Sequence, residues 1–240
     1  MSEVPLSFYL KAALGCMDSL GRYILPCLAA LLAARALLKP KPYVFRKLLH
    51  MVAFSSACLT ILAAEIWQAP ALCFMAVALL IYPILDALEG SRRYADFFVE
   101  KEPGEVKLSL LLLFFTVAAV SAVGWGLFGH REAAAGAVLI WGTGDAAAAL
   151  VGIPFGRHRL NIGFSGGKKT LEGTLADFAA GLAFGAAFFT LFCGIEPGRA
   201  LPATLIGAAA GAFTELISPS EYDTATVPAA VLAALLIALR

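Results

Sequence analysis

Charge is what this 240-residue chain has least of: Asp, Glu, Lys and Arg make up 15% of it, against 60% hydrophobic residues and a mean hydropathy of +0.84. A soluble domain of this size typically carries about 25% charged residues, so a water-soluble globular fold is excluded. The five cysteines, Cys16, Cys27, Cys58, Cys73 and Cys193, are scattered without a Cys-x-x-Cys pair. Neither a zinc site nor a disulfide framework is supported by that spacing, and small apolar packing residues are the expectation. No basic segment followed by a short apolar run and a cleavage site opens the chain, so a removed signal peptide is not expected. Low-complexity tracts and strong internal repeats are also missing. A net charge of +1 points to no partner, and none of the nucleic-acid kind is expected.

What is present is apolar length. A spanning helix needs roughly 20 mostly apolar residues, and eight segments qualify as candidates: 23–38, 48–67, 71–88, 106–129, 133–155, 174–193, 200–217 and 227–239. The first and last are short. The connections are too short for a second folded domain. The expected fold is therefore an all-α integral membrane protein, a bundle of about seven or eight transmembrane helices forming one domain over 1–240. Small residues in Gly181-x-x-x-Gly185 and Gly207-x-x-x-Gly211 suit close helix packing, expected within the chain more than between chains.

The few charges are unevenly placed. Lys39, Lys41, Arg46 and Lys47 form one group, Arg92, Arg93, Lys101 and Lys107 a second, and Arg157, Arg159, Lys168 and Lys169 a third. With eight spans these fall on one side, which the positive-inside rule makes cytoplasmic. Lys11 and Arg22 oppose this but are outnumbered. The last loop on that side has no Lys or Arg and carries Glu221 and Asp223.

Four polar clusters interrupt the apolar pattern. Asp145, in Gly142-Thr-Gly-Asp145, sits inside an apolar run. A carboxylate at membrane depth is costly and is a functional candidate by default; the bland alternative is a partner for a basic residue on another helix. The second cluster is Ser165-Gly-Gly-Lys168-Lys169-Thr170-Leu-Glu172-Gly173. Gly166 and Gly167 let the backbone approach a ligand. Successive amides leading into a helix N-terminus attract anions. Lys168 and Lys169 add point charges for phosphate oxygens. Thr170 suits an N-cap and Glu172 a first turn. The segment is not a Walker A loop, because Lys168 stands where the second Gly belongs.

The third cluster, Arg46-Lys47-Leu-Leu-His50, puts its polar groups close to one helical face at i, i+1 and i+4. Its basic pair could also simply reach anionic lipid. The fourth runs from Glu215 to Tyr222-Asp223-Thr-Ala-Thr226-Val-Pro228, where Pro228 suits a first helical turn. Asp223 can join Asp145 in holding a divalent cation, since Mg²⁺ is commonly held by one or two carboxylates together with phosphates. Asp177 could face the same cavity or pair structurally.

Taken together, Arg46-Lys47-x-x-His50, Gly144-Asp145-x-x-Ala148-x-x-x-Gly152-x-x-x-Gly156, Lys169-Thr170-x-Glu172-Gly173-Thr174 and Asp223-x-x-Thr226-Val227-Pro228 resemble the polyprenol kinase family. That family includes dolichol kinase, phytol kinase and the CTP-dependent diacylglycerol kinase of fungi. The resemblance runs from about residue 43 to residue 228. Thr224 stands where the family commonly has Asn, and Gly-Gly precedes the paired lysines where it often has other residues. The stretch Ser165-x-x-Lys168-Lys169-Thr170-x-Glu172-Gly173 is also similar to phosphatidate cytidylyltransferases. Their second signature, Pro-Gly-His-Gly-Gly, has no counterpart here.

The resemblance implies CTP as co-substrate, Mg²⁺ or another divalent ion on Asp145 and Asp223, and a membrane lipid alcohol as acceptor. Gly144, Gly152, Gly166, Gly167, Lys168, Lys169, Thr170, Glu172, Arg46 and Lys47 are the expected nucleotide contacts. Asp145, Lys168, Lys169, His50 and Asp223 are the expected catalytic set at the cytoplasmic face, with His50 or a carboxylate taking the hydroxyl proton. Two other readings stay open: a cytidylyltransferase using the same site, and a transporter with Asp145, Glu65 and His50 as a relay. One-sided clustering and the missing repeat weigh against the transporter.

Overall fold

The computed structural model describes residues 5–89, 105–163, 169–219 and 222–240. These residues form eight helices: α1 (Leu6–Leu38), α2 (Pro42–Ala63), α3 (Gln68–Leu88), α4 (Glu105–Ser121), α5 (Arg131–Phe155), α6 (Leu171–Ala187), α7 (Pro197–Ile217) and α8 (Asp223–Ala238). Helices α4 and α6 run on through π-helical turns, Ala122–Leu127 and Phe188–Phe192. Seven of the eight, counting those extensions, are long and apolar enough to cross a membrane; α8 is shorter. The all-α membrane bundle is thus borne out.

The largest difference from the expected boundaries is in the first helix; the second is also shifted, starting at Pro42 instead of residue 48. The first helix begins at Leu6, not near residue 23, and has 33 residues, about 50 Å of length. Lys11, Asp18 and Arg22 break the apolar run in the sequence. Asp18 and Arg22 sit at i, i+4 and pair with one another, so they interrupt hydrophobicity without interrupting the helix. Little of α1 is buried beyond Ala13, Cys16 and Leu20. It lies against α2 and α3 at the edge of the bundle.

Helix α5 is the axis of the fold. It packs against α2, α4, α6, α7 and α8, and an unbroken stretch from Ala133 to Gly144 is buried. That explains why the stretch is made of alanine, glycine and a few branched residues: a helix surrounded on all sides has room only for small side chains. Gly136 meets the Phe189 ring, and Gly142 lies under Phe54, where an added Cβ would overlap the ring. Phe54 in turn packs edge-on against Trp141, with centroids 4.4 Å apart. Gly142→Ala should therefore force this ring pair apart and destabilise the bundle by about 1–3 kcal/mol, read as a lower unfolding midpoint in detergent.

The small-residue stripes serve the same purpose. Gly181 and Gly185 face Ile140 of α5 and Ala208 and Thr204 of α7, and Gly207 and Gly211 face Leu235 and Val231 of α8. These are packing contacts within the chain, as expected. All five cysteines are free, and Cys16, Cys58 and Cys73 are buried. Large apolar side chains such as Leu25, Leu79, Ile84, Leu191, Phe213 and Ile237 are exposed. Exposed apolar surface on this scale is unfit for water and fits a lipid environment.

The antiparallel order of neighbouring helices is fixed by cross-contacts at both ends. Lys47 of α2 meets Asp145 of α5, while at the other end Arg131 of α5 donates to the Ala64 carbonyl. Gly173 of α6 lies against Ala148 of α5, and Arg199 of α7 donates to the Leu239 carbonyl after α8. The starts of α2, α6 and α8 and the ends of α5 and α7 therefore share one face. The opposite face holds two cavities. A groove of about 650 Å³ between α1, α3 and α4 is lined by residues such as Tyr9, Trp67, Met75 and Phe115. A smaller space of about 340 Å³ is lined by residues including Tyr23, Arg131 and Glu132. The turns leaving α4 and α6 on that face are alike: each follows a π turn and closes on a left-handed glycine, Gly129 (φ 73°) and Gly194 (φ 66°).

Candidate functional site

A cluster of ionic residues converges on the face away from both cavities. Lys47, on the second turn of α2, is only 9% exposed. Its Nζ donates to both Asp145 oxygens at 2.7 Å. His50, three residues further along α2, brings Nδ1 to 3.8 Å from Asp145 Oδ2. Asp145 itself lies ten residues before the end of α5, about 15 Å along the axis, whereas Lys47 reaches it from only the second turn of α2. The Arg46-Lys47-x-x-His50 cluster thus divides. Lys47 and His50 serve Asp145, whereas Arg46 makes no ion pair among the described residues and its Nε is buried without a hydrogen-bond partner.

The described ends of the segment between α5 and α6 pair antiparallel, as the two arms of a short hairpin. Arg159 and Thr170 form a bridge, Leu160 N–H donates to the Lys169 carbonyl at 3.0 Å, and Leu171 N–H donates to the His158 carbonyl at 2.9 Å. Gly163, with φ +66°, lies so close to the end of α7 that a Cβ would come within 2.6 Å of Ile217 Cα. Only glycine combines that backbone conformation with that approach. Ser165, Gly166, Gly167 and Lys168, four of the residues expected to cradle phosphate, lie outside the described residues.

Lys169 is described, and it points inward. Its Nζ pairs closely with Glu215 near the end of α7 and lies 4.0 Å from Asp223 Oδ2 at the start of α8. Burial alone would lower the Lys169 pKa, but the Glu215 carboxylate and its hydrogen bond, with Asp223 and Asp145 beyond, outweigh it and hold the ammonium above its ordinary value. Raised in the fold, it is fully charged at neutral pH. Its contribution to stability is complete there and is lost only as pH rises through its folded value on the alkaline side.

Thr170 caps α6 as expected, accepting from the Gly173 N–H at 3.2 Å. Glu172 is engaged elsewhere, 2.7 Å from His158 Nδ1. Gly152 stands against Thr170 and Gly173, where its missing side chain lets α5 and α6 close up. Gly144 stands against the Asp177 carboxylate. The structure gives these two glycines a packing role.

Two acids complete the cluster: Glu215, which opens the fourth polar segment, and Asp177, expected either to face this cavity or to pair structurally. Glu215, 7% exposed, is the close partner of Lys169, and Asp177, 6% exposed, faces α5 at Gly144. Four carboxylates (Asp145, Asp177, Glu215 and Asp223) thus gather with two lysines and one histidine. Glu65, the third member of the alternative relay, is not among them. It is exposed in the turn after α2, on the opposite face.

Among the described residues no three His, Cys, Asp or Glu side chains are placed to hold a metal ion. Both Asp145 oxygens already accept from Lys47, and Asp223 faces Lys169. The donor set does not make a protein cage for a resident metal. Comparison of the chain with protein-family models, with curated proteins and with solved structures finds no significant match.

Proposed function

We propose that this protein is a membrane-embedded phosphotransferase that moves the terminal phosphoryl group of a nucleotide, CTP by the resemblance of its motifs, to the hydroxyl of a membrane lipid alcohol. The observation that carries the reading is the convergence of Lys47, His50, Asp145, Lys169, Glu215 and Asp223 at one end of the bundle. Phosphoryl transfer asks a protein mainly to position two reactants and to neutralise charge. Lysines held by carboxylates can exchange those partners for phosphate oxygens at little reorganisation, because the cationic groups are already in place.

In the reaction the lipid oxygen bonds to the terminal phosphorus, the bond from that phosphorus to the bridging oxygen breaks, and the nucleoside diphosphate leaves with the electron pair. A divalent ion arrives on the nucleotide phosphates as part of the substrate, and Asp223, only loosely paired at 4.0 Å, is placed to meet it. The excess of Lys and Arg in the loops at this face supports a cytoplasmic orientation by the positive-inside rule, in which nucleotide would be available and a lipid hydroxyl would enter sideways from the inner leaflet.

The transporter reading is weaker. Below the ionic cluster the bundle is closed by Phe54, Trp141, Val138, Ile61 and Phe189, all buried. Such a layer leaves the charged groups on one side instead of along a path.

Two labels separate the phosphotransferase from the cytidylyltransferase. Purified protein with a panel of lipid alcohols and diacylglycerol should place ³²P from [γ-³²P]CTP on lipid and none from [α-³²P]CTP. Label from the α position on lipid, with phosphatidate as acceptor, identifies a cytidylyltransferase. Label from neither removes both readings.

A further inference from the structure

Every carboxylate in the cluster has a partner except one. Asp145 is held by Lys47, Glu215 by Lys169, and Asp223 accepts from the Thr224 hydroxyl at 3.4 Å besides facing Lys169. Asp177 has no hydrogen bond and no ion pair among the described residues, although it is 6% exposed. An unpaired carboxylate in such surroundings is costly, and side-chain freedom does not explain it. The residue sits on α6, six positions after Leu171, about 9 Å below the start of the helix. Its Oδ1 occupies the space that a side chain on Gly144 would fill, one residue from Asp145.

The groups around it come from every neighbouring element. The charges that act on it are Glu215 on α7, Asp145 on α5, Lys169 in the hairpin and Lys47 on α2. Asp177 therefore lies one residue from Asp145 across the α5–α6 contact, within electrostatic reach of both lysine–carboxylate pairs, and its oxygens are uncommitted. His50 is less free, because its ring shares Asp145 with Lys47 and meets the Phe54 edge at 6.2 Å between centroids.

We infer that Asp177 is the proton acceptor of the reaction. As the lipid oxygen bonds to the terminal phosphorus, its O–H bond breaks and the proton passes to an Asp177 oxygen, while the nucleoside diphosphate carries away the electron pair of the broken P–O bond. Gly144 is then small for two reasons, helix approach and room for the carboxylate beside the incoming hydroxyl.

The inference rests on the phosphotransferase reading, and the experiment separates the two. Full-length protein in lipid nanodiscs is assayed with the best lipid alcohol of the panel and [γ-³²P]CTP, alongside Asp177→Asn and Asp177→Ala. Asp177→Asn should lose about 100-fold or more in turnover while binding CTP as the parent does. Added formate should restore part of the turnover of Asp177→Ala, which has space beside Gly144 for a free carboxylate; a purely structural role would show no such rescue. Parent-like turnover in Asp177→Asn, or an inactive Asp177→Ala that formate leaves unchanged, overturns the assignment and leaves the phosphotransferase standing. Loss of fold in both variants also overturns it, since Asp177 is then a structural residue. A parent that labels no lipid alcohol overturns both readings.

Discussion

Lys47→Met should destabilise the protein by about 3 kcal/mol, near the lower end of the range for removing one partner of a buried ion pair. The lower end applies because the Asp145 side chain is 26% exposed and keeps some solvation, whereas Lys47 is 11% exposed. What remains in the variant is a largely buried carboxylate with His50 as its nearest cationic partner. Asp145→Asn in the Lys47→Met background should recover most of the loss, because the unpaired charge is gone. The coupling between the two positions should exceed about 1 kcal/mol, within the span measured for contacting residues. Unfolding midpoints of the parent, both single variants and the double variant in the same detergent give the number. Additive single effects would show that the two side chains do not depend on each other.

The second large effect concerns Lys169. Lys169→Met leaves Glu215, 7% exposed, without its cation and Asp223 without its nearest one, so both stability and turnover should fall, turnover by about 100-fold or more if a phosphate contact is lost with the charge. Stability and turnover can be parted by adding Glu215→Gln. The double variant has no stranded carboxylate at position 215 and should regain its unfolding midpoint. Its turnover should stay low, because the phosphate has lost its lysine. A double variant that recovers both would make Lys169 a counter-ion for Glu215 and nothing more.

The helices were legible because membrane spans are written in composition. Seven of the eight appear within a few residues of where the apolar runs lie, and the expected α1 is too short because charges at Lys11, Asp18 and Arg22 look like an end, although Asp18 and Arg22 are an i, i+4 pair and all three sit on one continuing helix. The site was legible in part. Asp145, Lys47, His50, Lys169 and Asp223 are brought to one face, as the basic-loop topology implied. For Asp177 the sequence leaves cavity and structural pairing open, and for Glu215 it gives only a place in a cluster, because a single acid near the end of a span has the same pattern whether it caps, pairs or reacts. What distinguishes them is which helices cross beside them: Glu215 matters because the hairpin carries Lys169 onto it, and Asp177 because Gly144 leaves it space. The same crossing geometry turned Gly144 and Gly152 into packing positions and took Glu172 to His158.

Direct binding of nucleotide is the sharpest test of the claim that this ionic cluster is a phosphate site. Equilibrium binding of [α-³²P]CTP with Mg²⁺ to purified full-length protein should be saturable and should weaken with added salt, as contacts between lysines and phosphates do. It should fall by about tenfold or more in Lys169→Met/Glu215→Gln, the loss of roughly 1.4 kcal/mol or more expected for a charge-assisted hydrogen bond. Absence of saturable binding in the parent, or equal binding in a folded double variant, would contradict the account.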